Sequence, residues 1–214
     1  MEQLVHRVRE AAGAPRGALV LLHGRGTDER DLLPLADALD PERRLVALLP
    51  RGPLTLPGQP GAHWYVVPRV GFPDERTFAA TYAQLAAWLD ALPDALGVPW
   101  SRTVLGGFSQ GAAMSFALGL GPQRPAPAGI LALSGFVPHV PGHEPALDGR
   151  EGFPVALGHG AADPVIPVAF AHAARAELEA AGAELLYRET PGIGHAIDPA
   201  FLPELRAWLA LRTA

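Results

Sequence analysis

Short continuous apolar runs alternate along the chain with stretches in which apolar residues recur every three to four positions. Ala18–Leu22 is apolar throughout and ends in His23-Gly24, the pattern of a strand buried on both faces. Leu45–Leu49, closed by Pro50, reads as a second strand, followed by Thr103–Gly107, Gly129–Ser134, Pro154–Gly158 and Glu184–Glu189. Between the strands the spacing is helical. Asp31–Leu39 puts Leu32, Leu35, Ala36 and Leu39 on one face, and Gln110–Leu120 does the same with Ala113, Phe116, Ala117 and Leu120. Thr77–Ala95 predicts one long helix with Phe78, Leu85, Trp88, Leu89 and Leu92 turned inward, while Val168–Ala181 and Ala200–Leu211 predict two more. This alternation implies an α/β fold, a mostly parallel sheet with helices on both faces, in one domain spanning residues 1–214. Leu4–Arg9 is expected as an antiparallel edge strand.

One stretch breaks the rhythm. Arg51–Arg76 contains five prolines and the cluster His63-Trp64-Tyr65-Val66-Val67. Structureless loops of this length are uncommon in compact domains and often functional, so the aromatic cluster is expected near a site.

Composition narrows the chemistry. The 214 residues are 49% hydrophobic and 18% charged, enough apolar material for a sizeable core and too little charge for disorder. A net charge of −5, with the arginines scattered, argues against nucleic-acid binding. The first residues carry no basic leader, and no apolar run is long enough to span a bilayer, so a cytoplasmic protein without stable membrane anchoring is expected. Cysteine and lysine are absent, which removes cysteine nucleophiles, cysteine-ligated metals, Schiff bases and serine–lysine dyads. Only Ser101, Ser109, Ser115 and Ser134 are available as serine nucleophiles.

In open α/β sheets the chemistry collects at the carboxyl ends of the strands. The turns to inspect are therefore His23–Thr27, Phe108–Gly111, Gly135-Phe136, His159–Asp163 and Thr190–His195. Gly107-Phe108-Ser109-Gln110-Gly111 follows a strand and opens a helix, the setting of a nucleophile elbow. A serine hydroxyl needs a base to take its proton and an acid to orient that base. On such a fold the chain order is serine, acid, histidine. His195, after the last strand, is the best-placed base; His139, His143 and His172 lie in a loop or within a helix, and His159 reads as structural. Asp163, just beyond a strand, is favoured as the acid over Asp148 in the preceding loop, and Asp198 reads as a helix cap. The backbone N–H of Gln110, at a helix start, and that of Arg25, between Gly24 and Gly26, are the candidate oxyanion donors; either of those glycines could serve instead of Arg25.

With these residues identified, the chain resembles the small phospholipase/carboxylesterase family of α/β-hydrolases, which includes the acyl-protein thioesterases. The resemblance rests on Leu22-His23-Gly24-Arg25-Gly26, Asp31–Leu35, Trp64-Tyr65, Gly106–Gly111, Ser134-Gly135, His159-Gly160…Asp163-Pro164 and Gly194-His195. It implies Ser109, Asp163 and His195 as a catalytic triad, backbone donors at Arg25 and Gln110, and a substrate groove near Trp64. An arginine at position 25, where acyl-protein thioesterases commonly carry an apolar residue, departs from the family and argues against long-chain acyl-protein substrates. Its side chain is expected to be solvated in preference to binding an anionic substrate group.

Gly135–Phe153 is too short for a helical cap, so an open groove lined by Trp64, Phe136 and Ile166 is expected, suited to short or medium acyl groups. The expected activity is that of a cofactor-free serine carboxylesterase acting on a small-molecule ester. A lysophospholipase or acyl thioesterase with the same triad, and a non-catalytic binding scaffold, are the alternatives. The resemblance is compatible with a homodimer, for which the sequence marks no interface.

Overall fold

The computed structural model describes residues 4–214. Seven strands form one sheet in the order β1-β3-β2-β4-β5-β6-β7: β1 (His6–Arg9), β2 (Gly17–Leu22), β3 (Leu45–Pro50), β4 (Thr103–Phe108), β5 (Gly129–Leu133), β6 (Pro154–Gly160) and β7 (Glu184–Thr190). All pairings are parallel except that of β1 with β3, where His6 faces Pro50. The central strands are buried on both faces, and their alternation divides the core. Leu19 and Leu21 of β2 pack with α1 (Leu33–Leu39) and α6 (Leu202–Arg212). Ala18, Val20 and Leu22 face the opposite layer, with Leu85 and Leu89 of α2 (Glu75–Asp90) and Met114 of α4 (Gln110–Gly119). On that second side, Ala174 and Leu178 of α5 (Ala169–Ala180) extend the layer over β5 and β6.

The long helix expected over Thr77–Ala95 is two. α2 ends at Asp90 and α3 (Leu92–Leu96) restarts with Pro93 in its first turn. Proline has no N–H to donate and its ring crowds the preceding turn, whereas the first turn of a helix tolerates it. Trp88, expected inside, is only half-buried. The closing helix likewise begins with a 3-10 turn over Pro199–Phe201, and the Asp198 carboxylate accepts the Ala200 N–H at 2.9 Å.

The segment between β5 and β6 carries no helix, so no helical cap is inserted there. The 51–74 stretch folds back instead. Ala62 exchanges backbone hydrogen bonds with the β2 loop, donating to Thr27 (2.7 Å) and accepting from Gly26 (2.9 Å). Among the described residues no helix is long and apolar enough to cross a membrane.

Candidate active site

β4 delivers Ser109 on a turn of φ 56°, ψ −117°, a left-handed φ that non-glycine residues seldom adopt. The turn is held by Ser109 N–H donating to Leu133 O at 2.8 Å. Its flanking glycines are there for contact: a Cβ on Gly107 would meet Gly111 C at 2.6 Å and Leu22 O at 2.7 Å, and one on Gly111 would run into Leu22 O. The strand–elbow–helix turn therefore closes only with glycine at both places. Ser109 is almost wholly buried and lines a cavity of about 390 Å³.

His195, on the loop after β7, has Nε2 at 2.9 Å from Ser109 Oγ and Nδ1 at 2.7 Å from Asp163 Oδ2. The Asp163 Oδ1 accepts from the Val165 and Ile166 N–H groups at 2.8 and 2.9 Å. Burial pushes this carboxyl's pKa up, but the His195 hydrogen bond and the Ile166 and Val165 amides outweigh it and hold it below the usual value. An ionised Asp163 on Nδ1–H leaves Nε2 free to accept the serine proton. The acid turn and the histidine loop are fastened backbone to backbone. Ala161 N–H donates to Thr190 O and Ala162 N–H to Ile193 O, each at 2.9 Å. Gly160 makes this possible, because a Cβ there would strike Ile193 O and Gly194 O. His159 donates from Nε2 to Ile166 O at 2.8 Å, a bond that steadies the acid turn from behind.

The β2 loop approaches from the other side. Arg25 and Gln110 both line the cavity with Ser109, and among the described residues neither backbone N–H enters a turn or cap hydrogen bond. The two loops are tied by side chains. The Gln110 carboxamide accepts the Trp64 N–H (2.8 Å) and donates to Tyr65 O (2.7 Å). The Trp64 indole donates to His23 O (2.8 Å). His23 donates from Nδ1 to Gly24 O (2.7 Å) and accepts the Gly52 N–H on Nε2 (2.9 Å). Burial lowers the pKa of His23, which suits a neutral ring that must accept as well as donate.

This corrects one expectation. Trp64 does not line a groove: its side chain has 0% exposure, because the indole lies under the β2 loop with its N–H committed to His23 O. Phe136 and Ile166 do line the cavity. The loop expected near a site does reach it, at Val67 of the aromatic cluster and at Arg69, Val70 and Phe72 beyond it, which the sequence reading does not single out; Val165 also lines the cavity. The signal of that stretch is the glycine of Pro68-Arg69-Val70-Gly71-Phe72-Pro73 between two prolines, which predicts a tight turn; Arg69 and Phe72 pair across it.

A profile of phospholipases and carboxylesterases matches residues 4–212. Acyl-protein thioesterase 1 of Cryptococcus neoformans is 30% identical over 224 aligned residues, covering 92% of each chain. Among solved structures, esterase PE8 superposes with a TM-score of 0.85 at 29% identity, covering 98% of this chain and 99% of its own. The Bacillus cereus carboxylesterase superposes with a TM-score of 0.84 at 25% identity, covering 99% and 95%. A full-length profile match and an acyl-protein thioesterase relative of the same span agree with the elbow and its surroundings: the chain belongs to the phospholipase/carboxylesterase family of α/β-hydrolases.

Proposed function

We propose that the protein is a serine carboxylesterase for esters of short to medium acyl chain. The observation that carries this reading is the unbroken relay from Ser109 Oγ through His195 to Asp163, at 2.9 and 2.7 Å, with Ser109 and His195 lining a cavity. His195 Nε2 takes the proton as Ser109 Oγ attacks the carbonyl carbon, and Asp163 stabilises the imidazolium. The N–H groups of Gln110 and Arg25 stabilise the negative oxygen of the tetrahedral intermediate, each worth about 3 kcal/mol of the barrier. Collapse expels the alcohol with the proton from His195. Water, deprotonated by the same ring, then releases the acid and restores the serine. Substrate and water balance the reaction.

The acyl preference is inferred from a cavity of about 390 Å³ with a mostly apolar wall. The kinship with acyl-protein thioesterase 1 favours a second reading, thioester hydrolysis by the same residues. Ser109→Ala is expected to fold normally, to lose four or more orders of magnitude in hydrolysis of p-nitrophenyl butyrate, roughly the scale of nucleophile removal elsewhere, and to resist labelling by a fluorophosphonate. Full activity in that variant would overturn the mechanism, and rates on matched esters and thioesters of one acyl group separate the two substrate classes.

A further inference from the structure

The cavity lined by Ser109 and His195 is also lined by two exposed arginines. Arg25 and Arg69 both line it, against one carboxylate, Asp31. Among the described residues, the arginines that are ion-paired, such as Arg9 with Asp40 or Arg51 with Glu29, lie outside the cavity. Arg25 and Arg69 are held differently. Arg25 donates to the side-chain carbonyl of Gln59, and the Arg69 guanidinium lies 3.5 Å from the centre of the Phe72 ring. An amide and an aromatic face both position a guanidinium, and neither cancels its charge. Two exposed arginines at the wall of a substrate cavity, neither of them in an ion pair among the described residues, are what an anionic ligand requires. Arg25 adds a constraint of distance. With its N–H as an oxyanion donor, as proposed above, its guanidinium is tethered within one side-chain length of the reacting carbonyl.

We propose that Arg25 and Arg69 form a subsite for an oxyanion group on the substrate, a carboxylate or a phosphate carried away from the scissile carbonyl. The natural esters are then acidic ones: half-esters of a dicarboxylic acid, or acyl esters of an alcohol bearing a phosphate. The apolar wall of Val67, Val70, Phe136 and Ile166 takes the hydrocarbon between the two polar ends. The proposal rests on the serine-esterase reading for the place of the carbonyl.

The test compares kcat/KM on two matched pairs: the p-nitrophenyl half-ester of glutaric acid against p-nitrophenyl butyrate, and 1-butyrylglycerol 3-phosphate against 1-butyrylglycerol. The expected result is a preference of about tenfold or more for the anionic member of at least one pair. It should reside in KM and shrink as sodium chloride is raised, because screening weakens charge recognition at an open site. The pair that shows it identifies the carboxylate or the phosphate. Arg69→Gln and Arg25→Gln should each reduce the anionic-to-neutral ratio several-fold, whatever they do to absolute rates, and Arg69→Glu should invert it. A wild-type ratio at or below one for both pairs, or a ratio unmoved in all three variants, overturns the subsite. If butyrate is hydrolysed and Ser109 is labelled in that case, the esterase reading stands alone; if neither occurs, that reading fails and the subsite with it.

Discussion

The two halves of the site are tied together by different hydrogen bonds. On the relay side, Asp163 and His195 are brought together by backbone: the loops after β6 and β7 share main-chain hydrogen bonds, and Gly160 lets them touch. On the oxyanion side, the β2 loop and the helix start at Gln110 are joined by side chains, through Trp64, the Gln110 carboxamide and His23. Backbone contact leaves no room for added atoms, so that half should fail abruptly. A chain of side-chain hydrogen bonds can lose one member and keep its shape, so the other half should fail by degrees.

Gly160→Ala tests the abrupt side and should have the largest effect. Its Cβ must displace Ile193 and Gly194 main chain, at about 3 kcal/mol of stability for overpacking against rigid neighbours. The displaced loop carries His195, so kcat should fall by about 10²-fold, the scale of an ångström of misplacement. Urea titration and steady-state kinetics check both, and a variant as stable and active as its parent would remove the distinction between the halves.

Trp64→Phe tests the graded side. It keeps an aromatic ring and leaves His23 O buried without its donor, at about 1–3 kcal/mol. The expected kinetic result is a fall in kcat of about tenfold with little change in KM, because the indole supports the oxyanion loop without lining the cavity. A change in KM alone would return Trp64 to the substrate groove.

The smallest effect concerns protons. His23 has its pKa lowered from 6.5 in the folded chain, so between that lowered value and 6.5 the unfolded state binds more protons. Its contribution to stability is complete above pH 6.5 and is lost as pH falls toward the folded pKa, by at most about 1.4 kcal/mol per pH unit. His23→Gln removes that dependence. The stability gap between parent and variant should therefore narrow from pH 7.5 to pH 5.5 in urea melts, and a gap that widens would contradict a neutral buried ring.

The same contrast explains what could be read from the chain. The strands were legible because five of them are buried runs bounded by glycine, proline or polar residues, and β2 differs from its expected bounds only by Gly17. The meeting of Ser109, Asp163 and His195 was legible because each follows a strand in a fold that uses strand ends, and the glycines around Ser109 are short-range signals. The break between α2 and α3 was hidden because Leu85, Leu89 and Leu92 keep helical spacing across it, while the effect of Pro93 depends on where the turn restarts. Trp64 was misplaced for a different reason. Loops carry no periodicity to tell inside from outside, and its partner His23 lies 41 residues away in the chain. The turn that pairs Arg69 with Phe72 is local, and only its place at the wall of the cavity is tertiary and so hidden from the sequence.

From β4 onward the strands are added to the sheet in the order of the chain: β4, β5, β6, β7. In the mechanism proposed above, a chain emerging from the ribosome thus acquires its nucleophile first and its base last. Ser109 and both oxyanion loops are made before residue 136, whereas His195 arrives only after β7 has been synthesised and can pair with β6 along Pro154–Gly160. At about 5–20 residues per second, the interval from Ser109 to His195 lasts several seconds, during which the serine lacks the base that activates it. On the proposed mechanism, completion of the sheet is therefore also the moment of arming, and a chain that ends before His195 lacks its base.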